Sequence, residues 1–182
     1  MDVTTSSRRE LEWLYGGVAR FFPEAWKRFA NGVTDGEQHE ILAAYCRLMA
    51  SSDDAIREHA TREWCAWEDA VLSLEEYGKP NQYTARTTAA RPAFVRICSH
   101  CFSNGARLDE EQLLRNADRL DGIPGVLIHG RNDMSAPPET AFRLAQRWSG
   151  AELHIIEHAG HKGNDEMQAI FAEAMRCIHI SA

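Results

Sequence analysis

Asp133 and His161 are the two residues of this chain whose types and spacing point most directly to chemistry. Asp133 comes three residues after Gly130, where the apolar run of "GVLIHGRNDMSAPPE" ends. His161 comes four residues after Glu157, past the second apolar run in "ELHIIEHAGHKGNDE". A carboxylate that orients an imidazole, and an imidazole that takes a proton from a hydroxyl, are the acid and base of a Ser–His–Asp site. Loops at the carboxyl ends of adjacent parallel strands can bring two such groups to one cavity. The plainer alternative is that Asp133 caps the helix starting at "PPET" and His161 is an ordinary loop histidine.

The elements needed to position the pair are readable around them. After residue 106 the chain alternates: helix "DEEQLLRNADRL", strand "GVLIHG", helix "PPETAFRLAQRW", strand "AELHIIE", helix "DEMQAIFAEAMRCI". Short continuous apolar runs between helices are the mark of parallel strands covered on both faces, so this part reads as α/β. The first part holds four of the five tryptophans and almost no strand signal. Trp13, Tyr15, Phe21, Phe22, Trp26 and Phe29 form an aromatic cluster around "FFPEAW", with Pro23 suited to the first turn of a helix. Thr34 and Glu37 stand at capping-box spacing before a helix that puts Ile41, Leu42, Tyr45, Leu48 and Met49 on one face. The stretch "SDDAIREHATREWCAWEDAVLSLE" predicts a longer helix with Trp64, Trp67, Val71 and Leu74 in one stripe. "GKPNQYTARTTAARP" reads as a loop, followed by a helix over 91–104.

The 182 residues carry a net charge of −7, which disfavours nucleic acid or an anionic membrane as partner. No run of 18 apolar residues and no signal peptide is visible in them. Five cysteines, an odd count without framework spacing, fit a reducing cytoplasm.

Four segments carry a family resemblance: "RRELEWLYGGVARFFPEAW", "WCAWEDAVLSLE", "LLRNADRLDGIPGVLIHGRNDMSAP" and "AELHIIEHAGH". In this order, over residues 8–165, the chain resembles the carboxyl-terminal half of a proline iminopeptidase, a serine aminopeptidase of the α/β-hydrolase superfamily. The resemblance implies an incomplete α/β-hydrolase: a helical cap over 1–105, then the last two βα units of the parallel sheet over 106–182. It also implies Asp133 as acid, His161 as base and Glu68 of "WCAWEDA" as a carboxylate that binds the substrate's free amine. The implied substrate is a peptide with an N-terminal proline. Taken alone, Glu68 reads better as a solvated glutamate beside a tryptophan core stripe.

Two departures from the family stand out. No Gly-x-Ser-x-Gly occurs in the chain; Ser103 in "CFSNG" and Ser149 in "RWSGA" lack the first glycine. We therefore expect a chain without its nucleophile, inactive by itself. Where the family has a second amine-binding glutamate, Cys98 stands in "RICSHCF". The resulting Cys98-x-x-Cys101 has no companion ligands, so we expect neither a metal nor a cofactor. A truncated gene product, half of a split enzyme and a non-catalytic binding protein all remain open, as does an esterase-like ancestor. A complementing amino-terminal half, or self-association, is the expected partner.

Overall fold

The computed structural model describes residues 3–34 and 36–180. The chain divides into two compact units. One comprises Met1–Glu10, Leu74–Gly78 and Glu110–Ala182, the other Leu11–Ser73 and Lys79–Asp109.

The second unit is helical. After α1 (Arg8–Leu14), helix α2 (Pro23–Ala30) starts with Pro23 in its first turn, where a missing N–H costs no hydrogen bond. A 3-10 turn at Gln38–Glu40 follows the Thr34/Glu37 pair, so α3 (Ile41–Met49) starts later than the capping signal suggests. Asp53 caps α4 (Asp54–Val71) by accepting the Ala55 N–H at 2.8 Å. Helix α5 (Ala90–Ser103) closes the unit, starting within a residue of the predicted position.

Aromatic packing holds these helices together. Phe29 on α2 stacks on Tyr45 of α3 at 4.5 Å between ring centroids and on Trp67 of α4 at 5.6 Å, while Trp64 meets it edge-on. Each such pair adds about 0.5–1.5 kcal/mol beyond its buried area. The polar tips inside the cluster are satisfied: Tyr45 OH donates to Phe29 O (2.8 Å), and Trp67 Nε1 donates to Leu14 O (3.2 Å). Two predicted members fall outside the core. Phe21 is exposed, and Leu74 lies beyond the end of α4 at Val71, 64% exposed. The backbone leaves the helix at Leu72, before the stripe reaches Leu74.

In the first unit, β1 (Gly125–Gly130) pairs in parallel with β2 (Ala151–Ile156), from Gly125 opposite Ala151 to Gly130 opposite Ile156. Helix α7 (Glu139–Ala145) packs on both strands and α8 (Asp165–Ile180) on β1. The core consists of Ile128, Ile156, Ala159 and Met167, with Val126 and Ile170 against it. Coverage is uneven, contrary to the expectation of strands buried on both faces. The last four residues of β1 are buried, whereas only Ile156 is buried on β2. Before the strands, the continuous helix predicted over 109–120 is broken into α6 (Gln112–Arg115) and a 3-10 turn, Ala117–Leu120. Asn116 causes the break: its side chain donates to Gln112 O at 2.7 Å, competing with helix continuation.

The amino-terminal segment of this unit is organised by one carboxylate. Glu10, three residues after Ser7, accepts the Ser7 N–H and hydroxyl at 2.9 Å each and the Thr5 hydroxyl at 2.6 Å. This is the glutamate half of a capping box at the start of α1.

Candidate active site

The acid and the histidine are brought together by the ends of the two strands. Beyond Gly130 the chain is tied to the neighbouring loop: Arg131 N–H donates to Ile156 O and Asn132 N–H to Ala159 O, both at 2.9 Å. The loops approach so closely that a Cβ on Gly130 would lie 2.5 Å from Ala159 O and 2.6 Å from Gly160 O. Asp133 then turns inward, 3% exposed, and both its oxygens are used. Oδ1 accepts the Ser135 N–H (2.9 Å), the Ser135 hydroxyl (2.7 Å) and the Ala136 N–H (3.0 Å). Oδ2 faces His161 Nδ1 at 3.2 Å.

Burial alone would raise the Asp133 carboxyl. The His161 hydrogen bond and charge, with Ser135 and the Ala136 amide, outweigh it and hold the group below its ordinary value. A carboxylate at Nδ1 fixes the proton on that nitrogen and makes Nε2 the basic one. Ser135 Oγ lies 3.0 Å from the same Nδ1; with its own proton given to Asp133, it presents a lone pair to the ring.

Three supporting residues were not visible in the sequence pattern. Ser135 is one. His129, fully buried on β1, accepts the Val3 N–H at Nδ1 (3.1 Å), so its Nε2–H donates to Ala136 O at 2.7 Å. It thereby holds the residue whose amide caps Asp133. Glu75 is the third, accepting the N–H groups of His161 (2.9 Å) and Lys162 (2.8 Å). "HG" before the acid loop was the available signal for His129; Glu75 had none, being 86 residues from His161.

Glu68 belongs to the helical unit. It is not the solvated glutamate of the plainer alternative: it is 5% exposed, and Oε1 accepts from Tyr15 OH at 2.7 Å and Trp64 Nε1 at 3.0 Å. Burial first, then the Glu68 charge, pushes the Tyr15 phenol well above its usual value. The same two causes push the Cys98 thiol up to about 12. Among the described residues, no three His, Cys, Asp or Glu side chains gather as a metal would require, and no helix is long and apolar enough to cross a membrane.

An acid and then a histidine, each just past one of two paired parallel strands, have the chain order that α/β-hydrolases use for those two residues. No family model matches the chain. Curated relatives do. A proline iminopeptidase of Xylella fastidiosa is 38% identical over 161 residues, covering 85% of this chain and 50% of the relative. A probable proline iminopeptidase of Streptomyces coelicolor is 35% identical, with 87% and 50% covered. For the proline iminopeptidase of Arabidopsis thaliana the values are 33%, 87% and 42%. The chain thus spans about half the length of the curated relatives it matches. It belongs with the proline iminopeptidases, as a carboxyl-terminal half of that family would.

Proposed function

We propose that this chain carries the acid, the base and the amine-recognising cap of a proline iminopeptidase-type serine hydrolase, and that the nucleophile comes from outside these 182 residues. The observation that carries the reading is the Asp133–His161 pair, 3.2 Å apart at the ends of paired parallel strands. The helical unit, Leu11–Ser73 and Lys79–Asp109, acts as the cap expected over 1–105, while 106–182 supply the last two βα units of the core, with the Leu74–Gly78 segment folded alongside them. In the reaction, a serine hydroxyl passes its proton to His161 Nε2 as its oxygen attacks the prolyl carbonyl carbon. Asp133 stabilises the resulting imidazolium. The imidazolium returns the proton to the leaving amine as the C–N bond breaks, and water then releases proline from the serine ester by the same base. Glu68 pairs with the substrate's protonated ring nitrogen, a contact that gains strength in a site shielded from water.

The chain alone is inactive and associates with the missing strands or with itself. Ile123, Phe142, Phe171 and Met175 are each more than a third exposed on the α/β unit, which supports association. Five cysteines without framework spacing support a cytoplasmic setting. A second reading, a non-catalytic binding protein, is favoured by Cys98 standing where the family has its second amine-binding carboxylate.

The deciding experiment measures proline release from a prolyl arylamide. The purified chain is tested alone and then with a relative's amino-terminal half bearing the serine elbow, each against His161→Ala. No release alone, and release with the added half that His161→Ala abolishes, is the expected result. A complex that forms without activity would establish the binding role. Stoichiometric fluorophosphonate labelling of the isolated chain would overturn the claim that it lacks a nucleophile.

A further inference from the structure

We infer that Glu75 is a positioning residue for His161: its carboxylate grips the backbone of the base loop and sets the direction in which the imidazole leaves the chain. This rests on His161 being the base, as proposed above. Within the segment Leu74–Gly78, Glu75 is the residue that turns inward; Leu74, Glu76, Tyr77 and Gly78 are exposed. Its two oxygens divide the work: Oε1 accepts the His161 N–H at 2.9 Å and Oε2 the Lys162 N–H at 2.8 Å.

Those two amides flank the Cα of His161. Fixing both peptide planes leaves the Cα–Cβ bond one direction, toward Asp133 Oδ2. Two successive N–H groups directed at one carboxylate resemble the backbone nests that hold anions. Gly160 makes the approach possible, since a Cβ there would lie 2.7 Å from Glu75 Oε1. A second tie holds the same segment farther along the loop, where Tyr77 OH donates to Asp165 Oδ1 at 2.7 Å. Asp133 and Ser135 therefore act on the ring, while Glu75 acts on the backbone beneath it. Removing the carboxylate leaves two N–H groups to find water, and the loop must rotate to let them.

The test reads the imidazole itself in the full chain labelled with 15N-histidine. His161 is assigned by the signal that disappears in His161→Gln. In the unaltered chain we expect the Nδ1–H tautomer with its proton at low field, the signature of the Asp133 hydrogen bond. In Glu75→Ala we expect the low-field proton to be lost and the two tautomers to average, while amide exchange in β1 and β2 stays protected. Glu75→Gln keeps the shape but turns an NH2 toward one of the two amides; it should lose part of the signal, and it decides the matter if Glu75→Ala does not fold. Tyr77→Phe should leave the His161 signature unchanged. An unaltered signature in both folded Glu75 variants overturns the positioning role. Absence of the Nδ1–H signature from the unaltered chain overturns the acid–base reading instead.

Discussion

Asp133 Oδ2 and His161 Nδ1 meet at 3.2 Å although 28 residues separate them in the chain. The strand register accounts for it: Gly130 pairs with Ile156, so the two loops leave the sheet side by side, each with only a few residues to its functional group.

Stability should follow the Asp133 carboxylate with pH. Its value in the folded chain lies below the ordinary one. Its contribution is therefore complete above the unfolded carboxyl value and is lost as pH falls through the folded value. Urea denaturation should show stability declining as pH falls from about 5 to below about 3, with a shallower decline in Asp133→Asn. At the upper pH the variant should be less stable by about 1–3 kcal/mol, because a buried network loses its charged acceptor. Equal pH slopes in the two proteins would show that Asp133 is not held in this way.

Glu10→Ala should cost about 1 kcal/mol at neutral pH, the usual worth of a helix cap. Burial opposes the charged form, yet the Thr5 and Ser7 hydrogen bonds keep the Glu10 carboxyl below its ordinary value. Ser7→Ala acts on the same motif, so the double variant should lose less than the sum of the two. Strict additivity in chemical denaturation would separate the two residues.

Tyr15→Phe removes the hydroxyl that donates to Glu68 Oε1 beside Trp64 Nε1 within the aromatic cluster. A loss of about 1–3 kcal/mol is expected for a buried carboxylate left with one donor fewer. In alkaline titration of the folded protein followed by ultraviolet absorbance, the Tyr15 phenol should ionise only on unfolding. Loss of a tyrosine step unrelated to unfolding in Tyr15→Phe would contradict its burial.

Thiol chemistry should separate Cys98 from Cys177. Burial pushes the Cys98 thiol up to about 12, so almost none of it is thiolate near neutrality. Cys177 is exposed. Iodoacetamide at mildly alkaline pH should modify Cys177 long before Cys98, as read by peptide mass spectrometry. Comparable rates at the two positions would mean that α5 opens readily.

The parts of this molecule that could be read from sequence are those with local signals. "GVLIHG" and "AELHIIE" announced two strands, and Asp133 and His161 followed from where those runs stop. Trp64 and Trp67 marked a buried face because helical spacing repeats within a few residues. Three other features escaped, each for a reason of its own. Glu75 meets its partners across 86 residues, so nothing near it in sequence announces the clamp. Asn116 interrupts a helix through its own side chain, which an apolar repeat does not register. Leu74 fits the stripe of α4 but lies past the helix end, where periodicity no longer describes the backbone.

Gly130 gives natural variation a meaning. Every amino-acid change reachable from a glycine codon by one base brings a Cβ, and a Cβ here lies against the carbonyls of Ala159 and Gly160. Such a change would push the His161 loop off the acid while leaving both strands paired. In a population of this gene, a position 130 free of amino-acid changes beside tolerant surface positions would mark a chain still selected for its paired acid and base. Free drift at that codon would mark a gene no longer selected for them.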